Sequence, residues 1–238
     1  MDRIRTYQEG LDGVLGGGIP KDHVVLIAGA PGTMKSSLSY AILHENAVRG
    51  VTGLYVSLEQ GRESLLYQMS RLGYDDTQTG ERLSILDLAA LRTKINESET
   101  PWLDFFKMYT AGMKKTSDFR LLVLDSLDAL EIITRMKNHR KEVFELFKWL
   151  RDIDCTSIII GELPSSLQES QDNREHPGFS RHREDFLADG IIHLRVEKQG
   201  EFGMQRRLRI VKMRGTKHDT SFQAFVFDKG FRVTQILS

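Results

Sequence analysis

Apolar residues fall in short unbroken runs, and amphipathic stretches of helical length separate them. The runs cover residues 24–28, 53–58, 83–86, 121–125 and 156–160. Between them, residues 63–72, 101–114 and 141–152 carry the spacing of helices with one buried face. A strand that is apolar at every position has no solvent side. A series of such strands alternating with helices predicts a mainly parallel sheet covered on both faces, an α/β fold. After Glu162 the rhythm changes. Residues 190–196, 207–212 and 224–227 come close together with short turns, and they predict a few antiparallel C-terminal strands closing one edge. Residues 164–184 are polar, carry both charges and contain Pro, Gly and Asn, so they read as a long mobile loop.

With 238 residues the chain suits one domain, 1–238, with a sizeable core. No repeat divides it. Lys+Arg and Asp+Glu stand at 33 each, so no global charge points to nucleic acid or a membrane surface. No run of about 18 apolar residues is present to span a bilayer. Met1-Asp2-Arg3-Ile4-Arg5 lacks the apolar core of a signal peptide. The single Cys155 precludes an intramolecular disulfide and reads as a small apolar residue beside a strand. Together these predict a cytoplasmic protein. The seven His residues show no ligand spacing with Cys or carboxylates, so no zinc site is expected.

The chemistry concentrates after the first run. Gly29-Ala30-Pro31-Gly32-Thr33-Met34-Lys35-Ser36 follows the strand and leads into the helical stretch that begins at Ser37. Strand, glycine loop, Lys-Ser and helix is the arrangement that cradles nucleotide phosphates: loop amides aim at anionic oxygens and the helix N-terminus adds partial positive charge. In such a loop Lys35 reaches the β- and γ-phosphates and the Ser36 hydroxyl holds Mg²⁺. The bland reading, a glycine turn without a ligand, does not explain why Lys35-Ser36 sits at the right offset from Gly29. One position departs from the motif, which wants Gly where Met34 stands. A left-handed backbone there would cost a non-Gly residue roughly 1–2 kcal/mol. An ordinary backbone would leave Met34 merely narrowing the site.

Two acids end buried runs. Asp125 closes the run Leu121-Leu122-Val123-Leu124, where an acid faces the ligand crevice of an open α/β sheet and supports the metal. Its alternative is to cap the following helix together with Ser126. Glu59 ends the run at 53–58 and is the candidate general base for an attacking water, against a solvated strand-end acid. Its neighbour Gln60 can orient a water but cannot take a proton. In Asp185-Phe186-Leu187-Ala188-Asp189-Gly190 a buried turn packing Phe186 and Leu187 is the simpler reading. Residues 195–217 hold eight Lys/Arg against two Glu. Lys212 and Arg214, two apart, share a strand face and could offer cations to a phosphate. Spacing alone favours an edge strand defended by charge.

Taken together, these residues resemble the KaiC-like, single-domain branch of the RecA-type P-loop ATPases. The similarity runs through Gly10-Leu11-Asp12-Gly13-Val14-Leu15-Gly16-Gly17-Gly18-Ile19-Pro20, the phosphate loop, Tyr55-Val56-Ser57-Leu58-Glu59, Val123-Leu124-Asp125-Ser126-Leu127, Phe186-Leu187-Ala188-Asp189-Gly190 and Lys212-Met213-Arg214-Gly215-Thr216. The resemblance implies a RecA-like fold and ATP with Mg²⁺ bound between subunits of a ring, usually a hexamer. It also implies phosphate contacts from Gly29 to Ser37, metal support from Ser36 and Asp125, and Lys212 and Arg214 delivered to the γ-phosphate of the neighbouring subunit. The family usually shows Gly at position 34 and often two adjacent acids at 59 and 60. Both departures point to slow hydrolysis. The role expected of such a protein is a nucleotide-dependent switch that works with a regulatory protein partner. Two rival readings stand beside this one. A recombinase-like DNA-binding ATPase would use residues 164–184, but that stretch balances its charges and offers only Phe179 for stacking. A nucleotide-sensing scaffold would bind without hydrolysing.

Overall fold

Each apolar run becomes a strand buried on both sides. The computed structural model describes residues 2–88, 90–91, 101–134, 136, 138–163, 184–199 and 203–236. The stretch 164–183, on which the loop and DNA readings rest, lies outside them. A short N-terminal ladder pairs β1 (Arg3–Ile4) with β2 (Ile19–Pro20), and helix α1 (Leu11–Val14) lies between them in sequence. The elements that follow are β3 (Val24–Gly29), α2 (Lys35–Val48), β4 (Gly53–Ser57), α3 (Arg62–Arg71), β5 (Leu83–Asp87), α4 (Trp102–Ser117), β6 (Leu121–Asp125), α5 (Leu127–Thr134), α6 (His139–Asp152) and β7 (Thr156–Glu162). The last strands are β8 (Gly190–Gln199), β9 (Gly203–Met213), β10 (Gln223–Phe227) and β11 (Phe231–Gln235).

Among the described residues these strands form a nine-stranded sheet in the order β11-β10-β9-β8-β3-β7-β6-β4-β5. The strands β8, β3, β7, β6, β4 and β5 are parallel, and β9, β10 and β11 add antiparallel. This is the α/β architecture expected from the alternating runs. Strand β3 shows why no polar alternation appears in it. Val25 and Ile27 pack on one face with Leu38 and Ile42 of α2, while Val24, Leu26 and Ala28 pack on the other with Phe106, Leu146 and Phe147 of α4 and α6. Cys155 is buried next to β7, and burial pushes its thiol up to about 11, so it stays protonated and packs as an apolar residue.

Three features escaped the apolar periodicity. The two-residue strands β1 and β2 are too short to carry a period, β11 alternates within only five residues, and α5 is a two-turn helix. In the turn before β8, Leu187 is buried as expected but Phe186 is half-exposed.

Candidate functional site

Parallel strands deliver their C-terminal ends to one edge of the sheet, and there the candidate residues meet. Gly29 ends β3, and its carbonyl accepts a hydrogen bond from the Leu163 amide at 3.2 Å. A Cβ at Gly29 would lie 2.4 Å from the Leu194 carbonyl oxygen and 2.9 Å from the Thr33 hydroxyl, so only glycine lets the loop turn this tightly between β8 and α2. Thr33 Oγ1 donates to the Ala30 carbonyl at 2.7 Å and closes the turn. Helix α2 begins at Lys35, and its N-cap residue is Met34, with φ 72 and ψ 31 and no side-chain cap. The backbone at Met34 is left-handed, which settles the alternative left open by the sequence.

Lys35 is buried and its ammonium donates to the carbonyl oxygens of Gly29 at 2.8 Å and Ala30 at 3.0 Å. Burial pushes that ammonium below its usual value, and the nearby carboxylates Glu162, Asp125, Asp128 and Glu59 push back. Asp125 closes β6 and is buried. Burial raises its carboxyl, while hydrogen bonds from Tyr55 and Ser36 oppose the rise. The Tyr55 hydroxyl donates to Asp125 Oδ2 at 2.5 Å from a fully buried position on β4. The helix-capping task considered for Asp125 falls to Ser126, whose Oγ accepts the Ala129 amide at 3.2 Å. That leaves the Asp125 carboxylate directed at Ser36. The Ser126 hydroxyl also donates to Glu59 Oε1, and Glu59 is otherwise exposed at the mouth. Gln60 turns aside and donates to Ser64 Oγ at 2.7 Å.

These groups line a cavity of about 670 Å³, ample for a nucleotide. Pro31, Gly32 and the residues from Met34 to Ser37 form its floor, and Tyr67, Gln68 and Arg71 of α3 form one wall. Glu162, at the end of β7, and Arg206, from β9, complete the rim, and Arg206 Nε donates to the Gly32 carbonyl at 3.2 Å. Tyr55, Glu162 and Arg206 were not singled out from the sequence. Glu162 carries the same signal as Asp125, an acid closing an apolar run. Tyr55 is a lone hydroxyl inside a buried strand. Arg206 has no local signal, because a long hairpin brings it to the loop.

The donor set fits Mg²⁺. A hydroxyl and a carboxylate are hard oxygen ligands, and Mg²⁺ is ordinarily held by one or two protein oxygens plus phosphate and water. Among the described residues no group of three or more His, Cys, Asp or Glu could hold a metal ion by itself.

Lys212 and Arg214 lie elsewhere. Met213 pairs with Gly190, which pairs with Val25, whereas Leu194 pairs with Gly29. The basic pair, which flanks Met213, therefore sits toward the other end of β3 from the phosphate loop, about 13 Å away along the strand. Lys212 Nζ donates to the Ala188 carbonyl at 2.6 Å, and Arg214 Nη1 donates to Asp189 Oδ1 at 2.7 Å.

Comparison with known proteins adds the following. The family described as "ATPase: KaiC" matches residues 4–237. A UPF0273 protein of Aeropyrum pernix is 30% identical over 250 residues, covering 98% of this chain and 94% of the relative. A UPF0273 protein of Pyrococcus furiosus is 29% identical, covering 97% and 93%. The circadian clock protein KaiC3 of Synechocystis is 26% identical, but the match spans 95% of this chain and only 42% of that longer protein. In three dimensions the crystal structure of a KaiC-like protein from Pyrococcus horikoshii superposes with a TM-score of 0.81 at 24% identity, covering 98% of each chain, a likeness of fold. Among the described residues no helix is long and apolar enough to cross a membrane.

Proposed function

The chain belongs to the KaiC family of ATPases, and from that premise we propose that residues 1–238 act as one domain that binds ATP with Mg²⁺ and hydrolyses it slowly, using nucleotide state as a switch. One observation carries the reading: the Lys35 ammonium, the Ser36 hydroxyl and the Asp125 carboxylate converge at the base of one nucleotide-sized cavity at the C-terminal edge of the sheet.

The amides of the loop and of the first turn of α2 bind the phosphates. Lys35 exchanges the Gly29 and Ala30 carbonyl oxygens for phosphate oxygens. That exchange brings a desolvated cation against charge and favours its protonated form. Ser36 and Asp125 hold Mg²⁺, which when bound neutralises charge developing on the β- and γ-phosphates. Tyr55 fixes the Asp125 carboxylate, and the Ser126 hydroxyl orients Glu59. Glu59 then accepts the proton of the attacking water. The exposed Tyr67 and the Arg71 side chain offer a platform for the base. Lys212 and Arg214, about 13 Å from their own loop along β3, act on the γ-phosphate held by a neighbouring copy in a ring. In this reading the second copy is part of each site.

ATPase assays on the wild type and on Lys35→Ala test the reading. We expect turnover to fall at least about a hundredfold in the variant, the scale seen when one charge-stabilising donor is removed. Calorimetry with Mg²⁺ that detects no ATP binding by the wild type would overturn it. The left-handed backbone at Met34 favours one other reading, a nucleotide-sensing scaffold that binds ATP without hydrolysing it.

A further inference from the structure

Asp189 lies in the turn before β8, is 7% exposed, and gathers donors from three elements. Its Oδ2 accepts the Val24 amide of β3 at 3.1 Å and Arg151 Nε from the end of α6 at 3.2 Å. Its Oδ1 accepts Arg214 Nη1 at 2.7 Å, and its own carbonyl accepts the Arg214 backbone amide at 2.9 Å. Arg214 is thus held at both its backbone and its head. The same turn holds the companion cation, because Lys212 Nζ rests on the Ala188 carbonyl.

Two features separate this arrangement from an ordinary structural ion pair. First, the Asp189 carboxylate is already satisfied by the Val24 amide and neutralised by Arg151, so burial alone does not require Arg214. Second, the Arg214 side chain stays 53% exposed while the carboxylate it grips is 10% exposed. Nη1 of the guanidinium is anchored on Asp189 at the β3–α6 junction and Nη2 leans on the Phe186 carbonyl at 3.4 Å, yet half of the side chain still faces solvent. A flexible side chain gives up rotamer freedom to reach an anion, and an anchored one has given it up already. Lys212, Arg214 and Arg151 also outnumber the carboxylates of Asp185 and Asp189, which leaves a cation surplus suited to a polyphosphate.

We propose that Asp189 is a positioning residue, which aims Arg214 at the triphosphate bound by a neighbouring copy of this chain. The inference rests on the trans-acting role of Arg214 given above. Asp189 touches no reactant; it acts through Arg214.

The test uses the full chain carrying Asp189→Asn, and separately Asp189→Glu, which keeps the charge but moves the carboxylate by about one 1.5 Å bond. For both we expect kcat to fall about tenfold with KM for ATP and oligomer size unchanged, the signature of an interaction made only in the transition state. In an Arg214→Ala background the same substitutions should leave the residual kcat unchanged, since the residue through which they act is gone. If either single variant turns over within twofold of wild type, or if the losses add fully in the double variant, Asp189 is structural and the proposal is overturned. Mixed oligomers of Lys35→Ala and Arg214→Ala subunits check the premise separately. Activity above both parents supports action in trans. Its absence overturns the trans reading and this inference together. Recovery in the mixture with normal turnover of the Asp189 variants overturns the inference alone.

Discussion

Met34 stands in a left-handed backbone at the start of α2, where an L side chain is strained. Its φ of 72 places an L side chain in the left-handed region, at a cost of roughly 1–2 kcal/mol. Part of that strain is offset, because Met34 packs against the core beside α2. Replacing it with glycine relieves the strain but enlarges the conformational freedom of the unfolded chain, so the two effects nearly cancel in stability. The expected consequence is catalytic. Met34 lines the cavity, so Met34→Gly widens the cradle around the phosphates and should raise the ATP turnover number several-fold, with the melting temperature nearly unchanged. Unaltered, negligible phosphate release beside tight ATP binding would instead favour the scaffold reading. The same residue-level reasoning separates Asp125 from Ser126. Adjacent polar residues at a strand–helix junction look interchangeable in sequence, yet the Ala129 amide selects Ser126 as the cap.

At the scale of elements, the β8–β9 hairpin carries an acid-sensitive group. His193 on β8 is half-buried, and burial, then Arg209 and Arg195, hold its imidazole down at about 3. In the unfolded chain it returns to about 6.5. The unfolded state therefore binds the extra proton first. This contribution to stability is intact above about pH 6.5 and is lost as pH falls toward 3. Between pH 7 and pH 5 the loss should amount to roughly 2 kcal/mol. Guanidinium titrations at the two pH values, on wild type and His193→Gln, measure it: the variant should lose less stability on acidification, and equal losses would remove His193 as the cause. The hairpin also explains Arg206. A strand of 11 residues, β9, extends past the sheet edge far enough to bring a side chain over the phosphate loop.

The whole molecule is closed by its two ends. Strands β10 and β11 stack Phe225 on Phe231, and Glu9 and Gly10, just ahead of α1, dock on β11. Gly10 has φ +77, and a Cβ there would lie 2.0 Å from the Val233 carbonyl oxygen. The Glu9 amide and carbonyl bond to Phe231 and Val233 across the same seam. Gly10→Ala combines a left-handed backbone with a clash against main chain that cannot rotate away. We expect roughly 2–4 kcal/mol of destabilisation in chemical denaturation, while ATP binding at the distant loop persists. A shift under 0.5 kcal/mol would show that the seam yields.

The alternating runs, the phosphate loop with Lys35 and Ser36, and the acid closing β6 were legible along the chain, because each is a contiguous pattern set by burial or by backbone geometry; Glu59, read as a strand-end acid, lies two residues past the end of β4. Leu121–Asp125 reads as a buried strand ending in an acid whatever surrounds it. Other features belong to tertiary structure alone. The left-handed turn at Met34, the Tyr55 hydroxyl on Asp125, the arrival of Arg206 and the grip of Asp189 on Arg214 join residues as many as 174 positions apart. No local period encodes such meetings. They follow from which strands the sheet places side by side, and that order is decided by packing two separate apolar faces at once.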